Sequence, residues 1–172
     1  QTCNLVFIGV DWTRKGGTLA VETAMRLAAA GRLVKLHILG GNPPALPASD
    51  AIVVHGFIDK GTQDGRDQFD RIMSEASFLF VPTRQDCSPM VFAEANSYGV
   101  PVISTRTGGV ADVVHEGVNG HLLPVSAGSD GYSELIWSIW ADRERYDRLR
   151  KSSWARFNEA LNWNSWLKAC IP

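Results

Sequence analysis

Asp86 and Glu94 stand with seven residues between them in VPTRQDCSPMVFAEANSYGVPVIS, residues 81–104, and both fall at a predicted strand-to-helix junction. Ionised carboxylates only accept hydrogen bonds, so a pair of them suits a ligand that offers hydroxyl donors. The junction itself suits an anion. Ser88 reads as the N-cap and Pro89 as the first helical residue, where its missing N–H does no harm. The amides that follow then lack intrahelical acceptors and point, with the positive end of the helix dipole, at whatever lies beyond the sheet. A ligand carrying both hydroxyls and phosphate would use both features. A cation is available from GVDWTRKGG, where Arg14 and Lys15 precede Gly16 and Gly17 at another helix start. Lys15 there can neutralise a diphosphate as a point charge, while the glycines allow close backbone approach.

Each of these residues also has an ordinary structural reading. Lys15 and Arg14 could be solvated charges on a turn, Asp86 a capping carboxylate, and Glu94 a salt-bridged glutamate in a second helical turn. Taken singly, those readings are the better ones. What favours chemistry is convergence, and convergence depends on the elements that carry the residues.

Cys3–Val10 reads as a buried strand and Thr18–Ala30 as an amphipathic helix ending at Gly31. Strands are predicted over Val34–Leu39 and Ile52–Val54, with a Gly-rich charged loop from Phe57 to Gly65 and a helix over Asp67–Ala76. Phe78–Val81 is a short apolar run stopped by Pro82. The helix after Ser88 closes at Gly99, and Val102–Ser104 is a further strand. Gly108 and Gly109 open a short helix over Val110–His115. A turn at Asn119-Gly120 leads to a strand at Leu122-Leu123, and the chain after Tyr132 is helical by pattern. Strands alternating with helices in this way predict an α/β, Rossmann-like doubly wound parallel sheet with helices on both faces and a helical C-terminal tail. Ligands of such sheets bind beyond the carboxyl ends of the strands. The loops expected to converge there are Asp11–Gly17, Gly40–Pro44, Gly56–Asp59, Pro82–Pro89 and Arg106–Gly109.

Composition narrows the classes. The 172 residues suffice for one domain with a complete core. Seventeen basic against 18 acidic residues, a net charge of -1, give no bulk attraction for nucleic acid or an anionic membrane. No apolar run has the length of a transmembrane helix. Three dispersed cysteines, Cys3, Cys87 and Cys170, argue against a disulfide framework and for a reducing, cytoplasmic setting. Gln1 enters the first strand almost at once, without a starting methionine, so a longer parent chain is expected. Neither G-x-G-x-x-G nor a P-loop occurs, and no G-x-S-x-G elbow is present. His37 reads as a half-buried strand histidine, and His55, His115 and His121 lack partners at metal spacing, so no metal is assigned. Cys87 has no histidine-containing constellation to make it a catalytic thiol. Four tryptophans between Trp137 and Trp163 are expected to pack the C-terminal helices.

These segments together resemble the C-terminal, donor-binding half of a GT-B glycosyltransferase, of the retaining family four, or group one. The resemblance runs from FIGVDWTRKGG through LHILGG, VHGFID, the 81–104 segment, TRTGGVADVV and EGVNGHLLP. Its signature is an acid, seven residues, and a Glu that opens an E-A-x-x-x-G-x-P-V run, here EANSYGVPV. The resemblance implies that Glu94 accepts hydrogen bonds from the ribose hydroxyls of a nucleotide and that Lys15 holds its diphosphate. It implies that Cys87, Ser88, Met90 and Val91 bring backbone amides to the donor, and that Asp86 accepts from hydroxyls of the transferred sugar. Gly56 and Phe57 would border the base, and the helix start at Gly108-Gly109 would face the same cleft. The chain departs from the family at Asp86, where Glu is usual, and at Val10, where Arg is usual, with Arg14 the nearby substitute. Ser88-Pro89 replaces a glycine and removes one amide donor.

The implied parent enzyme transfers a glycosyl group from a nucleotide-diphosphate sugar, of UDP, GDP or ADP type, with no cofactor. Its acceptor would be held by its own N-terminal domain, absent from this chain, through which it could be membrane-peripheral, and the isolated domain would be inactive. The alternative is a non-catalytic module that binds a nucleotide or sugar phosphate for regulation.

Overall fold

The computed structural model describes residues 1–41 and 43–170. Its centre is a six-stranded parallel sheet: β1 (Cys3–Gly9), β2 (Val34–Gly40), β3 (Ile52–Gly56), β4 (Phe78–Val81), β5 (Val102–Thr105) and β6 (Gly120–Leu123), in the order β3-β2-β1-β4-β5-β6. The helices are a single turn α1 (Trp12–Lys15), α2 (Gly17–Ala29), α3 (Gln63–Glu75), α4 (Met90–Ser97), a short α5 (Val110–Val113), α6 (Ser129–Ala141), α7 (Arg143–Arg156) and α8 (Trp163–Cys170), with a π-helical turn Phe157–Leu161 before the last. The expected doubly wound α/β architecture and helical tail are both present.

The central strands are apolar without alternation because both of their faces are covered. Every residue of β4 and of β5 is buried. Right-handed crossovers put α2 on one face and α3 and α4 on the other, and α6 packs beside α2. Phe80 of β4, fully buried, meets Tyr132 of α6 at 5.2 Å between ring centroids. Tyr146 of α7 edges onto Phe78 at 5.3 Å and donates its hydroxyl to the Ser77 carbonyl at 3.1 Å. Aromatic side chains of this size dominate such a core, and truncating Phe80 to Ala should cost about 3–5 kcal/mol.

Several boundaries differ from the sequence reading. Thr62 caps α3 by accepting from Gly65 N at 3.1 Å, so the helix starts at Gln63 and absorbs part of the presumed loop. Asp11 caps α1, a turn that apolar periodicity cannot reveal in four residues. The tryptophans divide. Trp140 is buried and Trp137 is covered by the Arg32 guanidinium at 4.4 Å, while Trp154 and Trp163 are more than half exposed.

His37 and His55 become neighbours. A register shift between Ile38 and Leu39 of β2 and the end of β3 stacks the two rings, with Nδ1 of His37 2.9 Å from Nε2 of His55. Burial depresses the pKa of both. For His37, the adjacent His55 and Lys35 add to the depression and Glu75 opposes it.

The chain winds outward twice from the centre, through β1-β2-β3 and then β4-β5-β6. The switch in direction lies between β1 and β4, where the loops after those strands must separate or meet. They meet.

Candidate donor-binding site

Arg14 O accepts from Arg84 N at 2.8 Å and from Thr83 Oγ1 at 3.1 Å, which ties the β1 loop to the β4 loop at the switch point. Gly16 has φ +77°, and a Cβ there would stand 2.1 Å from Pro82 O, so only glycine permits the approach. Gly16 ends α1 and turns Lys15 inward. The Lys15 ammonium donates to Oδ2 of Asp86, with side chains only 14% and 9% exposed. Two residues 71 positions apart, singled out for the same ligand, thus form a largely buried ion pair.

Arg14 takes a lesser place. Its guanidinium is committed to Asp11, Nε to Oδ2 at 3.2 Å, and to the Gln85 carbonyl at 3.1 Å, and it reaches only 4.0 Å from Asp86. The backbone N–H and guanidinium of Arg14 hold the Asp11 carboxyl below its ordinary pKa.

Helix α4 begins one residue later than its sequence implies. Pro89, with φ −75° and ψ 89°, is the N-cap residue, and Ser88 makes no capping hydrogen bond. The extended ψ at Pro89 turns the chain directly into Met90, so Ser88 is left outside the helix. Phe92 N bonds to Pro89 O at 2.9 Å, so Met90 and Val91 are the first-turn amides without an intrahelical acceptor.

Gly109 is the N-cap of α5, so the glycine pair opens the short helix as expected. Helix α5 has only four residues, and Gly109 N donates to Asp86 O at 3.0 Å. Gly108, with φ +50°, would place a Cβ 2.2 Å from the same oxygen. The pair of glycines also shapes the Asp86 loop through backbone contact.

Glu94 lies one helical turn into α4 and faces another environment. It lines a cavity of about 790 Å³ with Lys60, Ser88, Pro89, Met90 and the segment around Phe157–Trp163. Its carboxylate accepts from Lys60, and its carbonyl accepts from Ser97 Oγ at 2.6 Å. Lys60 was not legible as a site residue, since 34 positions separate it from Glu94. Gly56 ends β3 with φ 71°, and Phe57 follows it, 75% exposed. Neither lines this cavity. The Gly40–Pro44 loop adds Gly41 N to Gly9 O at 3.2 Å, while Asn42 lies outside the described residues.

A family profile described as glycosyl transferases group 1 matches residues 2–142. The chain belongs to that family. A D-inositol 3-phosphate glycosyltransferase of Xylanimonas cellulosilytica is 28% identical over 160 residues, covering 84% of this chain and 36% of the relative. The Anabaena protein HepE, solved in complex with UDP, superposes over 98% of this chain and 48% of its own with a TM-score of 0.79 at 16% identity. The C-terminal domain of a group 1 family protein from Francisella tularensis superposes over 94% of this chain and 87% of its own, with a TM-score of 0.77 at 14% identity. At such identities the two structures establish a shared fold. The matched stretches span 28–36% of three curated relatives, so this glycosyl transferase chain corresponds to a part of each. Among the described residues, no helix is long and apolar enough to cross a membrane.

Proposed function

We propose that this chain is the donor-binding domain of a glycosyltransferase that uses a nucleotide-diphosphate sugar. The observation that carries the proposal is the Lys15–Asp86 pair at the switch point, on the loop that leads into α4, with Glu94 one turn into that helix. Lys15 and the amides of Met90 and Val91 receive the diphosphate. Asp86 accepts from hydroxyls of the donor sugar, and Glu94 from those of the ribose. UDP in the HepE structure supports a uridine donor among the three nucleotide types.

In the transfer, an acceptor oxygen forms a bond to the anomeric carbon while the bond from that carbon to the diphosphate oxygen breaks. The diphosphate leaves with the electron pair, and the acceptor's hydroxyl proton is released. The protein's share is electrostatic, because the charge that develops on the leaving group falls where Lys15 and the helix-start amides lie. No metal is needed for that neutralisation, and the family resemblance supports retention at the anomeric carbon. The acceptor would be held by a second domain of the parent, and this chain alone would bind the donor without transferring it. A reducing, cytoplasmic setting fits the unpaired cysteines: Cys3 is buried, its thiol pushed up to about 12 by burial, and Cys87 is exposed.

Calorimetric titration with uridine, guanosine and adenosine diphosphates tests the proposal. One of them should bind saturably and in competition with pyrophosphate. Failure of all three to bind would remove the assignment.

A further inference from the structure

The turn that carries Lys60 is built more firmly than a charged surface loop requires. Asp59 Oδ1 accepts from Gly61 N at 2.9 Å, and Asp59 O accepts from Thr62 N at 3.1 Å. Arg66 then reaches back from α3, and its Nη1 donates to the carbonyls of Lys60 and Gly61, each at 3.0 Å. The main chain at Lys60 is therefore fixed from both sides. Its side chain is fixed as well. The ammonium rests 4.5 Å from the centroid of the Phe69 ring and donates to Oε1 of Glu94. Tyr98 at the end of α4 packs against the same Phe69 and donates its hydroxyl to Asp70 of α3, so the two helices that carry the pair are joined independently of it.

An exposed pair of this kind contributes little to stability, and Lys60 and Glu94 are 46% and 34% exposed. Stability is a poor reason for so much preorganisation. The pair lines the large cavity, with its carboxylate and ammonium side by side. A hydroxyl both donates and accepts, so a vicinal diol can donate to the carboxylate while accepting from the ammonium's remaining N–H groups. A carboxylate alone reads only half of that chemistry.

On the reading of Glu94 as the ribose ligand, we infer that Lys60 is a second ribose-binding residue and that the Lys60–Glu94 pair selects ribonucleotides over 2′-deoxyribonucleotides. Lys60 also holds the Glu94 carboxylate in the orientation it presents to the diol. The preference follows from the missing 2′-hydroxyl, which leaves one donor on Lys60 and one acceptor on Glu94 unused.

The test is calorimetry with the tightest-binding of the three nucleoside diphosphates, its 2′-deoxy form, and pyrophosphate, on the wild-type chain and on Lys60→Met, Lys60→Arg and Glu94→Gln. Lys60→Met should weaken the ribonucleotide about tenfold, weaken the deoxy form less, and leave pyrophosphate unchanged. Lys60→Arg should restore part of the preference, since a guanidinium still donates to the diol. Wild-type affinity and an unchanged ribo-to-deoxy ratio in Lys60→Met overturn the inference. Equal losses for all three ligands overturn it too, by assigning Lys60 to the fold. The underlying reading fails separately: Glu94→Gln that binds the ribonucleotide as tightly as wild type removes Glu94 from the ribose, whereas weakening there with a neutral Lys60→Met removes Lys60 alone.

Discussion

Asp86 sits where main chain meets main chain. Gly16 lies against Pro82 O, Gly108 against Asp86 O, and the Arg14 carbonyl holds the Arg84 amide, so the backbone around the Lys15–Asp86 pair has little room to shift. Glu94, two turns of sequence away, looks into a cavity whose walls are side chains: Lys60, Met90, Ala93, Val113, Phe157 and Leu161. The Asp86 pair is largely buried and the Glu94 pair is substantially exposed. Two acids of one motif therefore carry different burdens. Substitutions around Asp86 should first change stability, and substitutions around Glu94 should first change affinity.

The strongest way to break that contrast is Gly108→Val. A Cβ 2.2 Å from Asp86 O, at a φ that branched residues avoid, should destabilise the domain by at least about 3 kcal/mol, a fall in Tm of roughly 6 °C or more. Met90→Ala in the other pocket, where the side chain is 67% exposed, should stay within about 0.5 kcal/mol. Comparable melting losses in the two variants would erase the distinction. Next in size is Lys15→Met, which leaves the Asp86 carboxylate buried beside a distant Arg14. It should cost about 2 kcal/mol of stability and also abolish most pyrophosphate binding. A melting curve and a pyrophosphate titration of the same sample check both effects.

Glu94→Gln sharpens the comparison from the other side. Its ion pair is too exposed to matter much for folding, so Tm should move by about 1 °C or less. Nucleotide affinity should fall by about 1.5 kcal/mol, roughly tenfold, because a charge-assisted acceptor becomes a neutral one. Pyrophosphate, which needs only Lys15 and the helix start, should bind as before. A variant whose nucleotide affinity is intact and whose melting point drops would exchange the roles of the two pockets.

How much of this was legible in the sequence depends on how local each cause is. Strand positions, the α4 helix and the proximity of Lys15 to Asp86 follow from apolar runs, Gly and Pro punctuation and the rule that ligands gather at the switch point. The cap at Pro89 was missed because Ser88 has the better capping chemistry, yet the ψ of Pro89 decides where the helix begins. Gly108 and Gly109 open α5 as their local pattern implies, but their contacts with the Asp86 loop cross 22 positions and cannot be seen locally. Lys60 escaped for the same reason. Its turn carries a recognisable Asp59-x-Gly61 pattern, but nothing local says that the turn abuts α4. The His37–His55 contact depends on a register shift that a strand prediction does not contain.

That histidine contact gives the smallest expected effect, and it concerns neither pocket. Both rings have folded pKa values below the ordinary 6.5. Near pH 7 both states are mainly neutral and the pair imposes no penalty. As pH falls through about 6.5, the unfolded chain takes up protons that the folded rings still resist. Unfolding then becomes easier, and stability is lost progressively towards the lower folded values. The rings are partly solvated, and Glu75 offsets part of the repulsion from Lys35, so the slope is shallow. A fall in Tm of about 1–2 °C from pH 7 to pH 5.5 is expected. His37→Asn combined with His55→Asn should remove most of it. No histidine lines the cavity beside Glu94, so nucleotide affinity extrapolated to the folded state should not follow that change. An affinity that falls in step with Tm over this range, and recovers in the double variant, would couple the edge of the sheet to the cleft and refute the independence of the two.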